Sequence, residues 1–312
     1  MRSQEDQVWY HVDVNSAYLS WTAAYRVCIL GEDLDLRDIP SVIGGSEAER
    51  HGIVLAKSGS AKRYGIRTGE TLAEARCKCP GLVIVPPDYS LYVGCSKALV
   101  ELLKKYFPHV HQYSIDEAFC RVEGTKGLWG THTAFAHQLK EEIRRELGFT
   151  VNIGVSDCKL LAKMASEFQK PDQVHTLFTR EIERKMWPLP VSDLFWVGPA
   201  TVRKLGALGI RTIGELAVMD LELLKRHLKK QGEFIWNYAN GRDVSPFLRE
   251  LPRNKGYGNS MTTPFDVTDR ETAEQVILSL TETVCARLRA DGMEAACVGI
   301  SITDREFRHG SG

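Results

Sequence analysis

Val8-Trp9-Tyr10-His11-Val12-Asp13-Val14 is rich in β-branched and aromatic residues and ends on a carboxylate, so it predicts a strand. Ser16 to Leu30 follows with Leu19, Ala23 and Val27 at near-helical spacing and predicts a helix. This alternation continues downstream. Leu82-Val83-Ile84-Val85 predicts a short buried strand closed by Pro86-Pro87, and Leu99, Leu102, Leu103 and Tyr106 predict an amphipathic helix over 89–107. Val110 to Val122 reads as a strand pair, with Ala118, Cys120 and Val122 on one side and Phe119 and Arg121 on the other. Residues 131–147 predict a helix stopped by Gly148, Val151 to Val155 a strand, and Lys159 to Phe168 a helix ending before Lys170-Pro171. Strands and helices thus alternate to about residue 178, as in an α/β or α+β domain.

Two stretches break the pattern. From Gly31 to Gly69, glycine, proline and charge interrupt short apolar runs, which predicts a small inserted subdomain; Thr71 to Cys79 then predicts a helix. After Thr179 the chain reads as nearly all helical to Asn240, and a β-α-β-like stretch is expected over Ser260–Val267, Glu271–Ala290 and Ala296–Thr303.

The 312 residues allow about two domains, or one central domain with satellites. Hydrophobic content of 43% and charged content of 26% exclude a wholly disordered or collagen-like chain. No apolar run approaches the ~20 residues that span a bilayer, so no membrane partner is expected. The polar N-terminus predicts no secretory signal. Of eight cysteines only Cys77 and Cys79 are close, without a second pair to complete a zinc site, so reduced thiols in a cytoplasmic protein are expected. Lysine plus arginine equals aspartate plus glutamate at 40 each, which sits awkwardly with a nucleic-acid partner. Sorted by region, only residues 173–240 carry a positive excess, ten basic against seven acidic.

Three constellations carry chemistry. Asp13 closes the first strand, and Asp116-Glu117 lies within Tyr113-Ser114-Ile115-Asp116-Glu117-Ala118-Phe119. Adjacent carboxylates beside apolar residues repel and lose hydration, and a cation is the usual remedy. Three carboxylates from neighbouring strands could hold two Mg²⁺ ions ~3.5–4 Å apart for in-line phosphoryl transfer. Spacing alone also allows a turn pair and a strand-end cap. Lys57, Lys62 and Arg63 among small residues, and Lys159 at a helix start, could grip phosphate or simply be solvated. Val197-Gly198-Pro199-Ala200-Thr201-Val202-Arg203-Lys204-Leu205, then Leu208-Gly209-Ile210, has the helix-hairpin-helix pattern, in which backbone N–H groups meet a phosphate.

Together these pieces resemble the Y-family translesion DNA polymerases. The resemblance rests on His11-Val12-Asp13-Val14-Asn15-Ser16-Ala17-Tyr18, on Tyr113 to Phe119, on Gly154 to Ser166 with Lys170-Pro171, and on the hairpin segment. It implies an α+β right-hand fold. A ferredoxin-like palm would span 1–20 and 76–172, small fingers 21–75, a helix-hairpin-helix thumb 173–240 and a partial α/β little finger 241–312. It implies Asp13, Asp116 and Glu117 as catalytic carboxylates that bind two Mg²⁺ ions with the Val14 carbonyl. Tyr18 would be a steric gate against ribose, Lys62 and Lys159 would contact triphosphate, and Gly198, Ala200, Arg203 and Lys204 would contact DNA. Asn15 stands where many relatives carry aspartate, and Gly59 where several carry tyrosine. The last domain is expected to be incomplete.

The function implied is template-directed, error-prone, lesion-bypass addition of dNTPs to a primer, with primer-template DNA as partner and a monomeric enzyme. A sliding clamp is a partner the resemblance allows, although no glutamine-led terminal motif for one is visible. A non-catalytic DNA-binding protein derived from this family is the alternative. A nucleotidyl cyclase is a third reading, disfavoured by the hairpin and Tyr18.

Overall fold

The protein is described here from a computed structural model covering residues 7–46, 52–123, 130–244 and 254–312. Two units emerge: residues 1–45 with 53–249, and residues 46–52 with 250–312.

The first unit is built on β1 (Gln7–Val14), followed by α1 (Ala17–Cys28), β2 (Ser41–Gly44), β3 (Val54–Lys57), α2 (Gly59–Arg63), α3 (Leu72–Lys78), β4 (Val83–Val85) and α4 (Tyr89–Lys104). It continues through β5 (His109–Gln112), β6 (Glu117–Glu123), α5 (His132–Leu147), β7 (Val151–Ser156), α6 (Lys159–Glu167) and β8 (Val174–Thr176). The helices α7 (Ile182–Lys185), α8 (Pro199–Ala207), α9 (Ile213–Ala217), α10 (Leu221–Leu228) and α11 (Lys230–Ala239) complete it.

β1 occupies the centre of a sheet ordered β5-β6-β1-β7-β8. It runs antiparallel to both β6 and β7, and β8 joins β7 in parallel. The first four of these strands, with their intervening helices, make the ferredoxin-like β-α-β-β-α-β arrangement. Alternation along β1 sorts its side chains. Val8, Tyr10, Val12 and Val14 enter a core with Trp21, Tyr92, Leu103, Phe135 and Ile143. Trp9, His11 and Asp13 point to the opposite face, where Trp9 and Phe119 meet Ala162 of α6. Burying one side chain of this size contributes about 1.5–3 kcal/mol, which is why the register of β1 is pinned.

The approach of α6 to the sheet is set by one glycine. A Cβ on Gly154 would stand 1.9 Å from the Ala162 carbonyl oxygen and 2.6 Å from the Ser166 nitrogen. Backbone therefore lies on backbone, and α6 is shared between two layers. Its Leu160, Leu161 and Met164 belong to a separate core with Leu205, Ile213, Leu224 and Ile235 from the helices that follow.

The small sheet is ordered β3-β2-β4, with β2 antiparallel to β3 and parallel to β4. The boundary expected at 75/76 falls inside α3, and strand pairing carries this sheet on to Val85. Val83 to Val85 accordingly belongs to the small sheet, because its open hydrogen-bonding edge is satisfied by Ser41 to Ile43.

The second unit contains α12 (Arg270–Ala290), capped by the Asp269 carboxylate on Thr272 N–H, and the hairpin β9 (Ser301–Thr303) with β10 (His309–Ser311). The expected strand over 260–267 does not form. Thr263 turns locally to bond the Phe265 carbonyl, and Pro264 can give no ladder donor. β9 instead pairs with the later β10.

Gly154→Ala is expected to destabilise the protein by roughly 3 kcal/mol or more, since the obstruction is backbone and cannot yield. Chemical denaturation checks it; a loss below about 1 kcal/mol would mean that α6 is free to shift.

Candidate active site

The register of β1 with β6 sets Asp13 directly opposite Glu117. Both project from the sheet face that α6 covers. Two lysines answer them: Lys163 of α6 bonds Glu117 Oε1 at 2.5 Å, and Lys170, beyond its end, bonds Asp13 Oδ2 at 2.8 Å. Lys170 also bonds Glu167 at 3.0 Å. Carboxylate oxygens of Asp13, Glu117 and Glu167 lie within 4.8 Å of one another. Burial pushes the Asp13 carboxyl from 3.8 up to about 7, and the Lys170 cation pulls against that rise.

Asp116 does not join this trio. It precedes β6, and Ser114 Oγ lies 2.7 Å from its Oδ1 and 3.3 Å from Glu117 Oε2, so one hydroxyl spans the two neighbouring carboxylates. Its backbone carbonyl accepts from Val14 N–H at 3.0 Å, tying the end of β1 to the start of β6. Its charge is felt by Tyr18, whose phenol is raised first by burial, then by Tyr89 and Asp116. Tyr18 lies in the first turn of α1, its ring stacked on buried Tyr92 at 4.3 Å with planes 6° apart and met edge-on by Tyr89 at 6.2 Å.

The other sequence candidates fall into separate places. Lys62 is exposed on α2. Lys159 opens α6 with its ammonium 4.7 Å from the Phe119 ring; burial lowers its pKa and Asp243 opposes that. Gly198, Ala200, Arg203 and Lys204 are all exposed at the start and along one side of α8. Asn15 is a structural amide: it donates to Asn152 Oδ1 at 3.0 Å and accepts from Asp172 N–H at 2.9 Å. An aspartate here would face Asn152 Oδ1 with a second acceptor.

The impB/mucB/samB family model matches residues 12–167, and the model of that family's C-terminal domain matches 254–311. A DNA polymerase IV of Clostridium acetobutylicum is 48% identical over 97% of this chain and 76% of its own length. One from Acetivibrio thermocellus is 40% identical over 97% of this chain and 74% of its own. A solved Y-family DNA polymerase chimera has the same fold, with a TM-score of 0.79 at 19% identity over 98% of this chain and 86% of that one. The chain belongs to the Y-family DNA polymerases.

In this Y-family site, Lys163, Glu167 and Lys170 were not singled out by sequence reading. Lys159, Lys163 and Glu167 do recur every four residues, which places them along one face of α6. His11 was also missed. It is fully buried beside Asp13 and Glu117, with Nδ1 on Ser166 Oγ at 2.7 Å and Nε2 3.9 Å from Glu117 Oε1. Burial and the nearby lysines keep it neutral.

The donor set suits a hard divalent cation. Asp13, Glu117 and Glu167 offer only oxygens, and the reach across them is short. A carboxyl raised from 3.8 to about 7 favours the protonated fold, so its stabilising contribution is complete below about pH 4 and lost as pH rises to about 7. With chelator present, the parent should lose stability relative to Asp13→Asn across that window, and Mg²⁺ at pH 7.5 should recover it in the parent alone. Thermal melts at pH 4, 5.5 and 7.5 check this; a difference that does not change with pH would contradict it.

Proposed function

We propose that this site joins a dNTP to a primer 3′ end under the direction of a template, with two Mg²⁺ ions held by Asp13, Asp116, Glu117 and the Val14 carbonyl. The observation that carries the reading is the cross-strand pair Asp13–Glu117 at the end of a ferredoxin-like sheet, with Asp116 bonded through its backbone to Val14. Mg²⁺ bound there would lower the pKa of the primer hydroxyl and neutralise charge developing on the α-phosphate.

The protein's own groups then have distinct tasks. Lys163 and Lys170 hold the Glu117 and Asp13 carboxylates in place. Tyr18, braced by Tyr92, presents a ring edge where a ribose 2′-OH would collide. Lys62 and Lys159 are the proposed triphosphate contacts. The first N–H groups of α8 have no acceptor within the helix, so Gly198 and Ala200 can offer them to a backbone phosphate, with Arg203 and Lys204 adding charge. Such contacts hold DNA without reading its sequence.

The chain is accordingly a DNA-directed DNA polymerase of the lesion-bypass type, working on DNA. No described helix is long and apolar enough to cross a membrane. We further propose a cytoplasmic enzyme acting as a monomer.

Asp116→Ala should abolish primer extension, by about 10³-fold or more, while primer-template affinity stays within about threefold. Extension at the parental rate would overturn the metal assignment, and a parent that binds but never extends would favour the non-catalytic alternative. Tyr18→Ala should raise the ratio of ribonucleotide to deoxynucleotide insertion by about tenfold or more, as expected when a steric clash worth ~1.4 kcal/mol or more is removed. Single-nucleotide insertion kinetics with dNTP and rNTP measure it; an unchanged ratio would remove Tyr18 from the gate.

A further inference from the structure

Trp196 stands two residues before the hairpin glycine Gly198, 58% exposed, with a backbone φ of 69°. A bulky residue in the left-handed region is a conformational outlier. Its surroundings hold it there. Gln231 Nε2 donates to the Trp196 carbonyl at 3.1 Å. The indole meets Phe195 at 5.5 Å and Phe234 at 6.3 Å, edge to face in both cases. Leu194 and Val197 on either side are locked into the helical core. Strain maintained in this way is typical of functional positions.

The position is informative. The Phe195 ring lies 5.2 Å from Lys163 Nζ, the ammonium that bonds Glu117. Gly198, Pro199 and Ala200 follow at once, all exposed. The indole thus packs on Phe195, whose ring reaches Lys163, and lies two residues ahead of the N-cap of α8. Phosphates are served there by backbone N–H groups, Arg203 and Lys204. A flat, uncharged π surface suits what lies between phosphates, namely a base or a deoxyribose face.

We propose that Trp196 is a DNA-contacting residue, its indole packing on a sugar or base face of the primer strand close to the reacting end. The contact adds sequence-tolerant affinity to the hairpin's charge-dependent grip. This rests on the polymerase reading above.

The test is fluorescence anisotropy of a labelled primer-template across a series of salt concentrations, with melting temperatures recorded alongside. The variants are Trp196→Gly and Trp196→Asn, which both tolerate a left-handed backbone, and Trp196→Phe, which keeps a ring. Glycine and asparagine should raise Kd about fivefold or more without lowering the melting temperature by more than a few degrees, and phenylalanine should retain most of the affinity. The slope of log Kd against log salt should match the parent's, because an uncharged ring releases no counterions. An unchanged Kd in either small variant overturns the proposal. So does a shallower salt slope, which would place the loss in the hairpin's phosphate contacts, or a fall in melting temperature as the sole effect. A parent without DNA affinity would overturn the polymerase reading itself, and this inference with it.

Discussion

Asp13 and Glu117 face each other on neighbouring strands, and two carboxylates at cross-strand distance repel unless positive charge is brought to them. The charge comes from α6 and the turn beyond it, as Lys163 and Lys170. That delivery requires α6 to lie against the sheet, which Gly154 permits by having no side chain. It also requires the rest of β1 to be immovable, which the core formed by Tyr10, Val12, Trp21 and Phe135 provides. The site's reactivity and the fold's stability therefore pull in opposite directions at Asp13, a carboxyl held in a place that favours its protonated form.

α6 has a second consequence. One side of it packs on the sheet that carries Asp13 and Glu117, and the other forms part of the helical core that carries the hairpin. Phe195, beside Lys163, joins the two. The proposed chemistry and the proposed DNA contact thus share one rigid element. α1 plays a similar part on the other side: Trp21 enters the sheet core, while Leu19 and Ala23 pack on the small sheet.

Much of this was legible from residue order. The β1 alternation, the Gly148 stop of α5 and the span of α6 follow from local periodicity and local caps, and each appears where expected. The strand expected at 260–267 failed because a short apolar run has no meaning without a partner edge, and the structure supplies that edge to β9 from β10 instead. β4 likewise went to the small sheet through pairing with β2, a choice no local pattern records. At the site, Asp13 and Glu117 could be read from their motifs. Lys163 lay within the motif stretch Gly154 to Ser166 and Glu167 just past it, but nothing in residue order gave either a part in the site.

The sequence by itself determined most strands and helices of the first unit, where the candidate carboxylates Asp13 and Glu117 lie along the chain, and that the chain resembles the Y-family polymerases, because periods, caps and motifs are short-range. Only the tertiary structure decided that Glu167 lies with Asp13 and Glu117 in a group that Asp116 does not join, and that a lysine 157 positions away bonds Asp13. The left-handed backbone at Trp196 was decided there too. The physical reason is common to all of them: the partner of a buried charge, or of a strained backbone, is set by which surfaces pack together, and packing acts between residues that sequence keeps far apart.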